Sequence, residues 1–402
     1  MKIFQINSVN YGSTGKIMFS IAELAQAKGH AVMTSAGFTK RRNTKPYHFI
    51  TSGIFTKLLH TYLARLTGLN GFFSFFPTLL LLARLRKFKP DIIHCHNLHG
   101  WYLNLPLFFS YIKKTHIPVI WTLHDCWAFT GQCPHFTFIN CEKWKSGCHH
   151  CPQIHVYPKA YIDQTRLMWR LKRKWFTGVE NMTIVTPSVW LAGLVRQSFL
   201  KDYPVKVINN GIDLNIFKPS ESSFRQNYGI APDDCMLLGV TMGWGERKGL
   251  DVFIELAKRL PEKYRIVLVG TSEAADRLLP EKIIFIHQTD NQTELAEIYS
   301  AADLFVNPTR EENYPTVNME ALACGTPVIT FNTGGSPEII DDTCGCVIAC
   351  DDLDALEAKI KAAFKDHLFS ADACLAKAHN FRDTAKFSQY ISLYNIVLGN
   401  KL

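Results

Sequence analysis

The stretch LFVNPTREENYPTVNMEALACGTPVITF, residues 304–331, carries the pattern that decides the fold. Two short apolar runs, LFVN and VITF, flank a segment that is rich in helix-forming residues. Strands separated by helices form parallel sheets, because the helix carries the chain back to the edge at which the next strand begins. Pro315 suits the first turn of a helix and Gly325 its C′ position, so we expect a helix over residues 315–324. The stretch therefore predicts one β–α–β unit of a parallel sheet.

The same alternation of strands and helices runs through most of the chain and restarts once. KIFQIN, DIIHCH and PVIWTLH are β-like runs of the N-terminal half, whereas CMLLGVT, YRIVLVGT and KIIFIHQ belong to a second series. We therefore expect an α/β protein of two doubly wound Rossmann-like domains that face each other across a cleft, with ligands beyond the carboxyl ends of the strands. The predicted segments are a first domain at 1–210, a linker at 211–232, a second domain at 233–380, and a C-terminal helix at 381–402 that returns to the first domain.

Length and composition narrow the class of protein. The 402 residues are 47% hydrophobic and 20% charged, which is typical of globular chains with more than one domain. The formal net charge of +9 favours acidic partners such as nucleic acid, anionic lipid surfaces or phosphorylated small molecules. The N-terminal apolar run is too short for a signal peptide, and the most apolar stretch, residues 66–83, is interrupted by Asn70, two glycines and Pro77. We expect a cytoplasmic chain without a membrane span, whose twelve cysteines do not form a disulfide framework.

Two glutamates stand eight positions apart in the opening stretch. Glu312 precedes the predicted helix and Glu320 lies inside it. A helix N-terminus attracts anions, but a carboxylate beside a diphosphate would repel it. The two side chains are therefore expected to hold neutral hydroxyl groups on either side of a diphosphate, as a nucleotide sugar presents them. The alternative is that Glu312 only complements the helix dipole and that Glu320 is an exposed residue on the helix face.

Cations and glycines in two other segments favour a phosphorylated ligand. Arg247 and Lys248 come just before another predicted helix, in WGERKGLDVF, where two cations suit a diphosphate. Gly334 and Gly335, in NTGGSPEII, allow the backbone to approach a ligand closely. For the two cations alone, an exposed charged turn is the alternative.

These motifs resemble those of the retaining glycosyltransferases of family 4, which have the GT-B fold. The resemblance rests on the Glu-x7-Glu pair followed by ALACGTPVI and GGSPE, and on VINNGIDLNIFKP between the predicted domains. It covers nearly the whole chain and is strongest over residues 206–340. It implies that Glu312 bonds the transferred sugar, that Glu320 bonds the ribose, and that Asn313, Tyr314, Pro315 and Thr316 form the turn that brings backbone to the donor.

The resemblance also assigns the two cations, with one departure from the family pattern. Arg247 and Lys248 correspond to the residues that hold the diphosphate. Many family members place the phosphate-binding arginine about five residues before the lysine, where this chain has Gly243. Arg247 is expected to take over that role.

The N-terminal half supplies a glycine-rich turn and a histidine. NYGSTGK follows the first predicted strand, and Gly12 and Gly15 would let backbone N–H groups approach a phosphate or an acceptor, although a tight strand-to-helix turn is the alternative. The turn is neither a P-loop nor G-x-G-x-x-G, which weighs against a nicotinamide enzyme. His124, in WTLHD, resembles the family histidine that lies against the transferred sugar. His94, in DIIHCH, is expected to be a core-facing strand residue.

The resemblance implies a catalytic mechanism and leaves two alternatives. Retaining transfer would be front-face, with the leaving diphosphate helping to deprotonate the acceptor hydroxyl, while His124, Glu312, Arg247 and Lys248 orient the groups and stabilise charge. No D-x-D motif follows a strand, so we expect no catalytic cofactor or metal. A UDP- or GDP-linked sugar is the expected donor.

Two alternative functions remain. One is another nucleotide-sugar enzyme, such as an epimerase. The other is a zinc-containing nucleic-acid-binding protein, which would leave both glutamates unused.

A cysteine-rich insertion at residues 126–158 needs its own explanation. Cys133, Cys141, Cys148 and Cys151 read C-x7-C-x6-C-x2-C, a spacing that suits a structural tetrahedral zinc ion. His135, His149 or His150 could replace one of the thiolates. The alternative is a set of small buried residues without a metal.

A basic and apolar segment at residues 56–90 indicates a membrane surface. Phenylalanines and leucines alternate there with cations, and KRKW at 172–175 adds to the basic surface; the cations are Lys57, Arg65, Arg84, Arg86, Lys87 and Lys89. Such a composition suits the interface of an anionic bilayer, whereas two buried helices with a solvated basic end are the alternative. The resemblance favours a peripheral protein on the inner leaflet of the bacterial membrane, acting on a polyprenyl-diphosphate-linked glycan or a lipid and not on nucleic acid.

Overall fold

The computed structural model describes residues 1–38, 45–272 and 280–399. The chain divides into two compact units. One is formed by Met1–Asn209 together with Thr384–Leu402, and the other by Asn210–Asp383. Each unit contains one parallel sheet with helices, as the alternation of strands and helices predicts.

The first unit is built on a seven-stranded sheet in the order β3-β2-β1-β4-β5-β6-β7, in which every paired strand is parallel. Alternate strand residues face different cores: Phe4 and Ile93 belong to one buried cluster, and Ile3 and Ile92 to another. The strands are β1 Lys2–Asn7, β2 Ala31–Ala36, β3 His48–Ile50, β4 Ile92–Cys95, β5 Val119–Thr122, β6 Met182–Thr186 and β7 Val205–Val207. The helices are Gly12–Ala27, Ile54–Thr67, Phe75–Phe88, Leu105–Thr115, Thr165–Phe176, Val189–Gln197 and Asp383–Val397.

The helix Asp383–Val397 completes the first unit from the far end of the chain. Phe387, Tyr390, Ile391 and Tyr394 are buried in the same cluster as Ile3 of the first strand. Residues 400–402 of the predicted segment 381–402 lie outside the described residues.

The second unit is built on a six-stranded parallel sheet in the order β10-β9-β8-β11-β12-β13. The strands are β8 Cys235–Val240, β9 Tyr264–Val269, β10 Ile283–Ile286, β11 Leu304–Asn307, β12 Val328–Phe331 and β13 Gly345–Ile348. The helices are Phe224–Asn227, Leu250–Arg259, Gln292–Ala301, Thr316–Ala323, Leu353–Lys365 and Ala371–Ala378. Residues 211–232, which the sequence suggested as a linker, belong to this unit, because Ile212, Phe217, Phe224 and Ile230 are buried in its core.

Strand order places one switch point in each sheet. The chain proceeds outward from β1 in one direction and from β4 in the other, and it does the same from β8 and β11. Loops at the carboxyl ends of such strand pairs diverge and leave a crevice for ligands. Within the described residues, no helix is long and apolar enough to cross a membrane.

Candidate functional site

The loops after β8 and β11 carry the predicted donor-binding residues of the second unit. Lys248 lies in the short helical turn Glu246–Lys248, between β8 and the helix Leu250–Arg259. Glu312 lies between β11 and the helix Thr316–Ala323. Both loops leave the carboxyl edge of the sheet at its switch point, which is where the sequence predicts a ligand.

Lys248 and Glu312 are in direct contact. The distance from Lys248 Nζ to Glu312 Oε2 is 2.5 Å, and the two side chains are 19% and 23% exposed. The second oxygen of Glu312, Oε1, accepts a hydrogen bond of 3.2 Å from the backbone N–H of Asn313. The cation thus neutralises the carboxylate, so that the Glu312 side chain can lie near a diphosphate with less repulsion than an unpaired glutamate would exert.

A glycine holds the Glu312 loop against the loop that follows β12. Gly334 has a φ of +56°, and a Cβ atom at this position would lie 1.7 Å from the carbonyl oxygen of Glu312. Gly335 donates a 2.9 Å hydrogen bond from its backbone N–H to the carbonyl oxygen of Asn313. Glycine at position 334 is therefore required for the two loops to touch, whether or not a ligand is bound.

Arginine side chains connect the two donor-side loops. Arg247 Nη1 donates to the carbonyl oxygen of Glu311 at 3.3 Å, and the backbone N–H of Arg310 donates to the carbonyl oxygen of Arg247 at 3.0 Å. Sequence reasoning missed Arg310, whose guanidinium donates to both carboxylate oxygens of Asp251 at 2.8 and 2.7 Å and to Asp351 at 2.6 Å. Two features of the sequence could have indicated this contact. They are the charged segment TREE at 309–312 and Asp251 in the first turn of the helix Leu250–Arg259.

The helix that follows Glu312 differs slightly from the prediction. It spans Thr316–Ala323, with Pro315 at the N-cap in an extended conformation rather than in the first turn, and Cys324 at the C-cap. Gly325 has a φ of +84°, which is the left-handed C′ conformation expected of it. The N-cap makes no side-chain hydrogen bond, and the first turn contains no acidic residue.

Glu320 lies on this helix. Its side chain contacts the buried Tyr299, whereas Glu312 contacts Lys248. The Tyr299 hydroxyl donates a 3.2 Å hydrogen bond to Glu320 Oε2. Burial, together with the Glu320 carboxylate, raises the pKa of Tyr299 well above its usual value, so the tyrosine stays a donor. Glu320 itself is half-buried, as are Thr316 and Glu312, whereas Asn313 and Tyr314 are buried.

In the first unit, the glycine-rich turn follows β1. The helix Gly12–Ala27 begins there without a side-chain cap on its N-cap residue, Tyr11. Gly15 has a purely local explanation, since a Cβ atom there would lie 2.6 Å from the carbonyl carbon of Asn10. Gly12 has a φ of +65° with open space around its Cα atom.

Histidines at the ends of β4 and β5 form hydrogen-bonded chains. His96 Nδ1 lies 3.1 Å from His124 Nε2, and His96 Nε2 lies 3.0 Å from Gln5 Oε1. His94 contacts Thr122 Oγ1 at 2.8 Å and the Tyr394 hydroxyl at 2.7 Å. His94 is fully buried, as the sequence predicted for a core-facing residue.

Burial keeps these histidines neutral. It lowers the pKa of His124 to about 4 and that of His94 to about 3, and it lowers the pKa of His96 well below the usual value. A neutral imidazole both donates and accepts a hydrogen bond, which suits contact with an uncharged hydroxyl group.

A second chain of contacts, absent from the sequence predictions, involves Asp125. His99 Nε2 lies 2.9 Å from Asp125 Oδ2, and His99 Nδ1 lies 2.8 Å from the hydroxyl of Tyr157. Burial opposes the ionisation of Asp125, but the nearby His99 outweighs it and lowers the pKa of Asp125 to about 2. The far end of the cysteine-rich insertion is thereby tied to the carboxyl end of β5.

The KRKW segment is less exposed than its composition suggests. Lys172 is fully buried on the inward face of the helix Thr165–Phe176, where its ammonium group donates to the carbonyl oxygens of Trp127 and Thr130 at 2.7 and 3.1 Å. Only Arg173 and Lys174 of this segment belong to the basic surface.

Family models match both units. A model described as glycosyltransferase family 4 matches residues 15–216, which is about half of the chain, and a model described as glycosyl transferases group 1 matches residues 232–388. The chain belongs to glycosyltransferase family 4. A curated relative of this family 4 chain is a putative colanic acid biosynthesis glycosyl transferase, WcaC of Escherichia coli (strain K12), which is 26% identical over 280 residues. That match covers 66% of this chain and 65% of WcaC.

Solved structures share the fold of this family 4 member. Sucrose-phosphate synthase from Thermosynechococcus elongatus superposes with a TM-score of 0.72 at 18% identity, over 99% of this chain and 100% of that one. Anabaena HepE, solved in complex with UDP and glucose, superposes with a TM-score of 0.67 at 18% identity, over 98% of each chain. Together with the two parallel sheets, these superpositions establish the GT-B fold that the motifs implied.

Proposed function

We propose that the protein is a retaining glycosyltransferase that moves a sugar from a UDP- or GDP-linked donor to a growing surface polysaccharide or lipopolysaccharide glycan. The contact between Lys248 and Glu312 at the switch point of the second sheet is the observation that carries the proposal. Two similar proteins support the proposed acceptor and donor classes. WcaC is named for colanic acid biosynthesis, and HepE was solved with UDP and glucose.

Each donor-side residue has a role that follows from its chemistry. Arg247 and Lys248, the second of which is paired with Glu312, are proposed to bind the diphosphate beside the uncapped start of the helix Thr316–Ala323. The Glu312 carboxylate can accept hydrogen bonds from sugar hydroxyls, and the Glu320 carboxylate, oriented by Tyr299, can accept them from the ribose diol. Backbone groups of Asn313, Tyr314, Pro315 and Thr316 complete the donor contacts.

The reaction needs charge stabilisation more than a protein nucleophile. As the bond between the anomeric carbon and the diphosphate breaks, negative charge grows on the leaving oxygen, and Lys248 and Arg247 are proposed to stabilise it in place of a metal ion. The leaving diphosphate then accepts the proton of the attacking acceptor hydroxyl on the same face of the sugar, which retains the anomeric configuration. His124, kept neutral by burial, is proposed to hydrogen-bond the transferred sugar, and Gly12 and Gly15 to expose backbone N–H groups to phosphate or acceptor.

Donor binding tests the first half of the proposal. UDP-, GDP-, ADP- and dTDP-sugars would be titrated calorimetrically into the wild type, Glu320→Ala and Lys248→Ala. We expect one donor class to bind and each variant to raise its Kd about 10- to 100-fold, as expected when a hydrogen bond to a charged group is lost. Glu357→Ala is the matched control, because Glu357 is also a partly buried helical glutamate in an ion pair, with Lys361. If no nucleotide sugar binds the wild type, the proposed donor chemistry is wrong.

Product stereochemistry tests the second half. Slow hydrolysis of the donor, followed by proton NMR, should first release the sugar with the anomeric configuration of the donor. The rate should not change when Mg²⁺ or Mn²⁺ is left out and then restored. An inverted first product contradicts the retaining mechanism, and interconversion of donor sugars without release would favour the epimerase alternative.

The acceptor is proposed to be reached at an anionic membrane surface. The helices Ile54–Thr67 and Phe75–Phe88 expose several large apolar side chains, including Phe55 and Phe76 at 76% and Leu80 at 66%, although the second helix also buries Leu81, Leu82 and Leu85. Exposed apolar patches of this kind mark interaction or membrane sites. Arg84, Arg86, Lys87 and Lys89 are also exposed on or next to the second of these helices. The combination of apolar side chains, flanking cations and a net charge of +9 fits anionic lipid headgroups and a polyprenyl-diphosphate carrier.

Vesicle sedimentation tests this surface. The wild type should pellet with vesicles of phosphatidylglycerol and phosphatidylcholine and remain in solution with phosphatidylcholine alone. The double variant F55S/F76S should lose most of this binding while keeping wild-type donor affinity. Leu368→Ser, at an apolar residue of the second unit that is 43% exposed, is the control and should sediment normally. Equal sedimentation of F55S/F76S and wild type would contradict the proposed surface.

A further inference from the structure

The cysteine-rich insertion is a long segment with little regular structure. Between β5 and the helix Thr165–Phe176 it contains only the short helical turns Trp127–Phe129 and Lys143–Lys145. Loops of this length inside a compact domain are uncommon and usually serve a function or need a special constraint. Trp127, Phe129 and Trp144 are nevertheless buried in the core of the first unit. Packing of these aromatic side chains, rather than regular backbone hydrogen bonding, holds this segment.

Four cysteines surround one small cavity within the insertion. The cavity has a volume of about 20 Å³, and its lining includes Cys133, Cys141, Cys148 and Cys151. A space of that size holds about one water-sized particle. The fifth cysteine of the insertion, Cys126, is buried but does not line the cavity. The four cysteines that line the cavity are the ones whose sequence spacing predicts a metal site.

Contacts around the cavity orient the sulfur atoms. Cys133 and Cys151 both line the cavity. The backbone N–H of Gly131 donates to Cys148 Sγ at 3.2 Å. The backbone N–H of Cys151 donates to Asp163 Oδ2 at 2.7 Å, which fixes the last cysteine against the start of the next helix. Hydrogen bonds from backbone N–H groups to sulfur and outer contacts that orient ligands are characteristic of metal sites.

A buried lysine lies beside this part of the insertion. The amino group of Lys172, which has no exposed surface, donates to the carbonyl oxygens of Trp127 and Thr130, and the Thr130 hydroxyl donates to the carbonyl oxygen of Cys133. Four thiolates around a divalent ion leave a net charge of about −2, which is unfavourable in an apolar core. A protonated Lys172 would offset part of this charge.

We propose that Cys133, Cys141, Cys148 and Cys151 bind one structural zinc ion in tetrahedral geometry. Among the described residues, no group of three or more His, Cys, Asp or Glu side chains is already arranged as a metal site, so binding draws the four thiols of this cavity inward. Each Zn–S bond replaces an S–H bond, and the proton passes to solvent. No electron transfer is involved. The zinc is independent of the donor chemistry and takes no part in the sugar transfer.

A zinc ion in the insertion would also stabilise contacts at the carboxyl end of β5. The insertion returns through Tyr157, whose hydroxyl is hydrogen-bonded to His99, which in turn contacts Asp125. By cross-linking the insertion, zinc holds Tyr157 at the carboxyl end of β5, next to His124. The metal thereby shapes the surface beside the predicted sugar-contacting histidine without touching it.

Metal content is the direct test. Protein purified without chelators should contain about one zinc per chain by elemental analysis, as a closed four-ligand site would bind. Cys133→Ser and Cys148→Ser should lose most of this zinc, and Cys141→Ser, at a half-buried position, gives the same test if the other two fail to fold. Cys126→Ala is the matched control within the insertion and should keep its zinc. Wild-type zinc below about 0.2 per chain, after growth and purification with zinc present, would overturn the proposal.

Thiol reactivity and stability provide readouts on the wild type itself. Before treatment with a strong zinc chelator, a thiol reagent under native conditions should modify exposed Cys350 and spare the four proposed ligands, as peptide mass spectrometry would show. After chelation, these four cysteines should become reactive and the Tm should fall. Two further outcomes would overturn the proposal: disulfides among the four cysteines in freshly purified protein, or loss of zinc in His149→Ala, which would make His149 a ligand in place of a cysteine.

Discussion

At the scale of single residues, Arg310 shows how one side chain can shape a site that it does not enter. Its guanidinium binds Asp251 through two hydrogen bonds and Asp351 through a third, and it also donates to the carbonyl oxygen of Glu246. The side chain is only 10% exposed. The loop that carries Glu312 is thus fixed to the turn that carries Lys248, and a precise contact between the two follows.

Replacing Arg310 tests this positioning role. Arg310→Gln should destabilise the second unit by about 1 kcal/mol, because the acidic partners are half exposed and the ion pairs are partly screened. The Kd for the donor should rise about 3- to 10-fold, since the two loops would no longer be held together. Urea unfolding and calorimetric titration measure the two effects. Arg259→Gln, in a more exposed ion-pair cluster on the helix Leu250–Arg259, should leave donor affinity unchanged; an equal loss there would contradict the positioning role.

Gly334 gives a sharper test of the contact between loops. Gly334→Ala places a methyl group 1.7 Å from the carbonyl oxygen of Glu312 and also strains a left-handed backbone. The Glu312 loop must move, and we expect donor binding to fall more than 10-fold with a clear decrease in Tm. Gly53→Ala is the control, because its Cβ atom meets open space at a φ of −75°. Wild-type donor affinity in Gly334→Ala would show that the loop contact is not needed.

At the scale of elements, the sequence predicts what is local and misses what depends on distant partners. The sequence locates the elements to within a residue or two, because propensity and capping act over a few positions. The helix between Pro315 and Gly325 is an example. The partner of His94 is Tyr394, 300 positions away, and nothing near either residue indicates the contact. The same holds for Lys248 and Glu312, which the sequence assigns to one ligand but does not show to be paired.

The helix Asp383–Val397 tests the contribution of such a distant element. Tyr394→Ala should destabilise the first unit by about 3–5 kcal/mol, because it opens a cavity in a core where Tyr394 is fully buried. Tyr394→Phe removes only the hydroxyl that contacts His94 and should cost about 1 kcal/mol. Ile396→Ala, at a position of the same helix that is 59% exposed, should change stability by less than about 0.5 kcal/mol. Thermal unfolding separates the three, and equal effects at 394 and 396 would mean that the helix does not pack as described.

At the scale of the whole molecule, the buried histidines predict a loss of stability in acid. Burial lowers the pKa of His60 and His94 to about 3 and that of His124 to about 4, whereas the unfolded chain has histidine pKa values of about 6.5. Below about pH 6.5 the unfolded chain therefore binds protons that the folded chain does not. The stability from keeping these groups neutral is fully present above that pH and decreases as the pH falls towards the folded values, by at most about 1.4 kcal/mol per group per pH unit.

Urea unfolding between pH 7.5 and 4.5 measures this dependence. His94→Gln should make the pH dependence shallower by about one proton, even if the variant is less stable at every pH. Gln197→Ala, at an exposed helix position without a titratable group, should keep the wild-type slope. A slope that does not change in His94→Gln would contradict the assignment of this proton uptake to the buried cluster.

The way the first unit is assembled from both ends of the chain has a consequence for biosynthesis. During translation, Met1–Asn209 leaves the ribosome first but lacks the helix Asp383–Val397, whose tyrosines fill its core. The second unit is continuous in sequence and can fold while it emerges, so the later half of the protein is expected to reach its native state before the earlier half. In the meantime, the apolar surface that Phe387, Tyr390 and Tyr394 will cover is open to chaperones and to other nascent chains. Emergence of the helix Asp383–Val397 from the ribosome, rather than the synthesis of the unit's own strands, then sets the moment at which the first unit is finished.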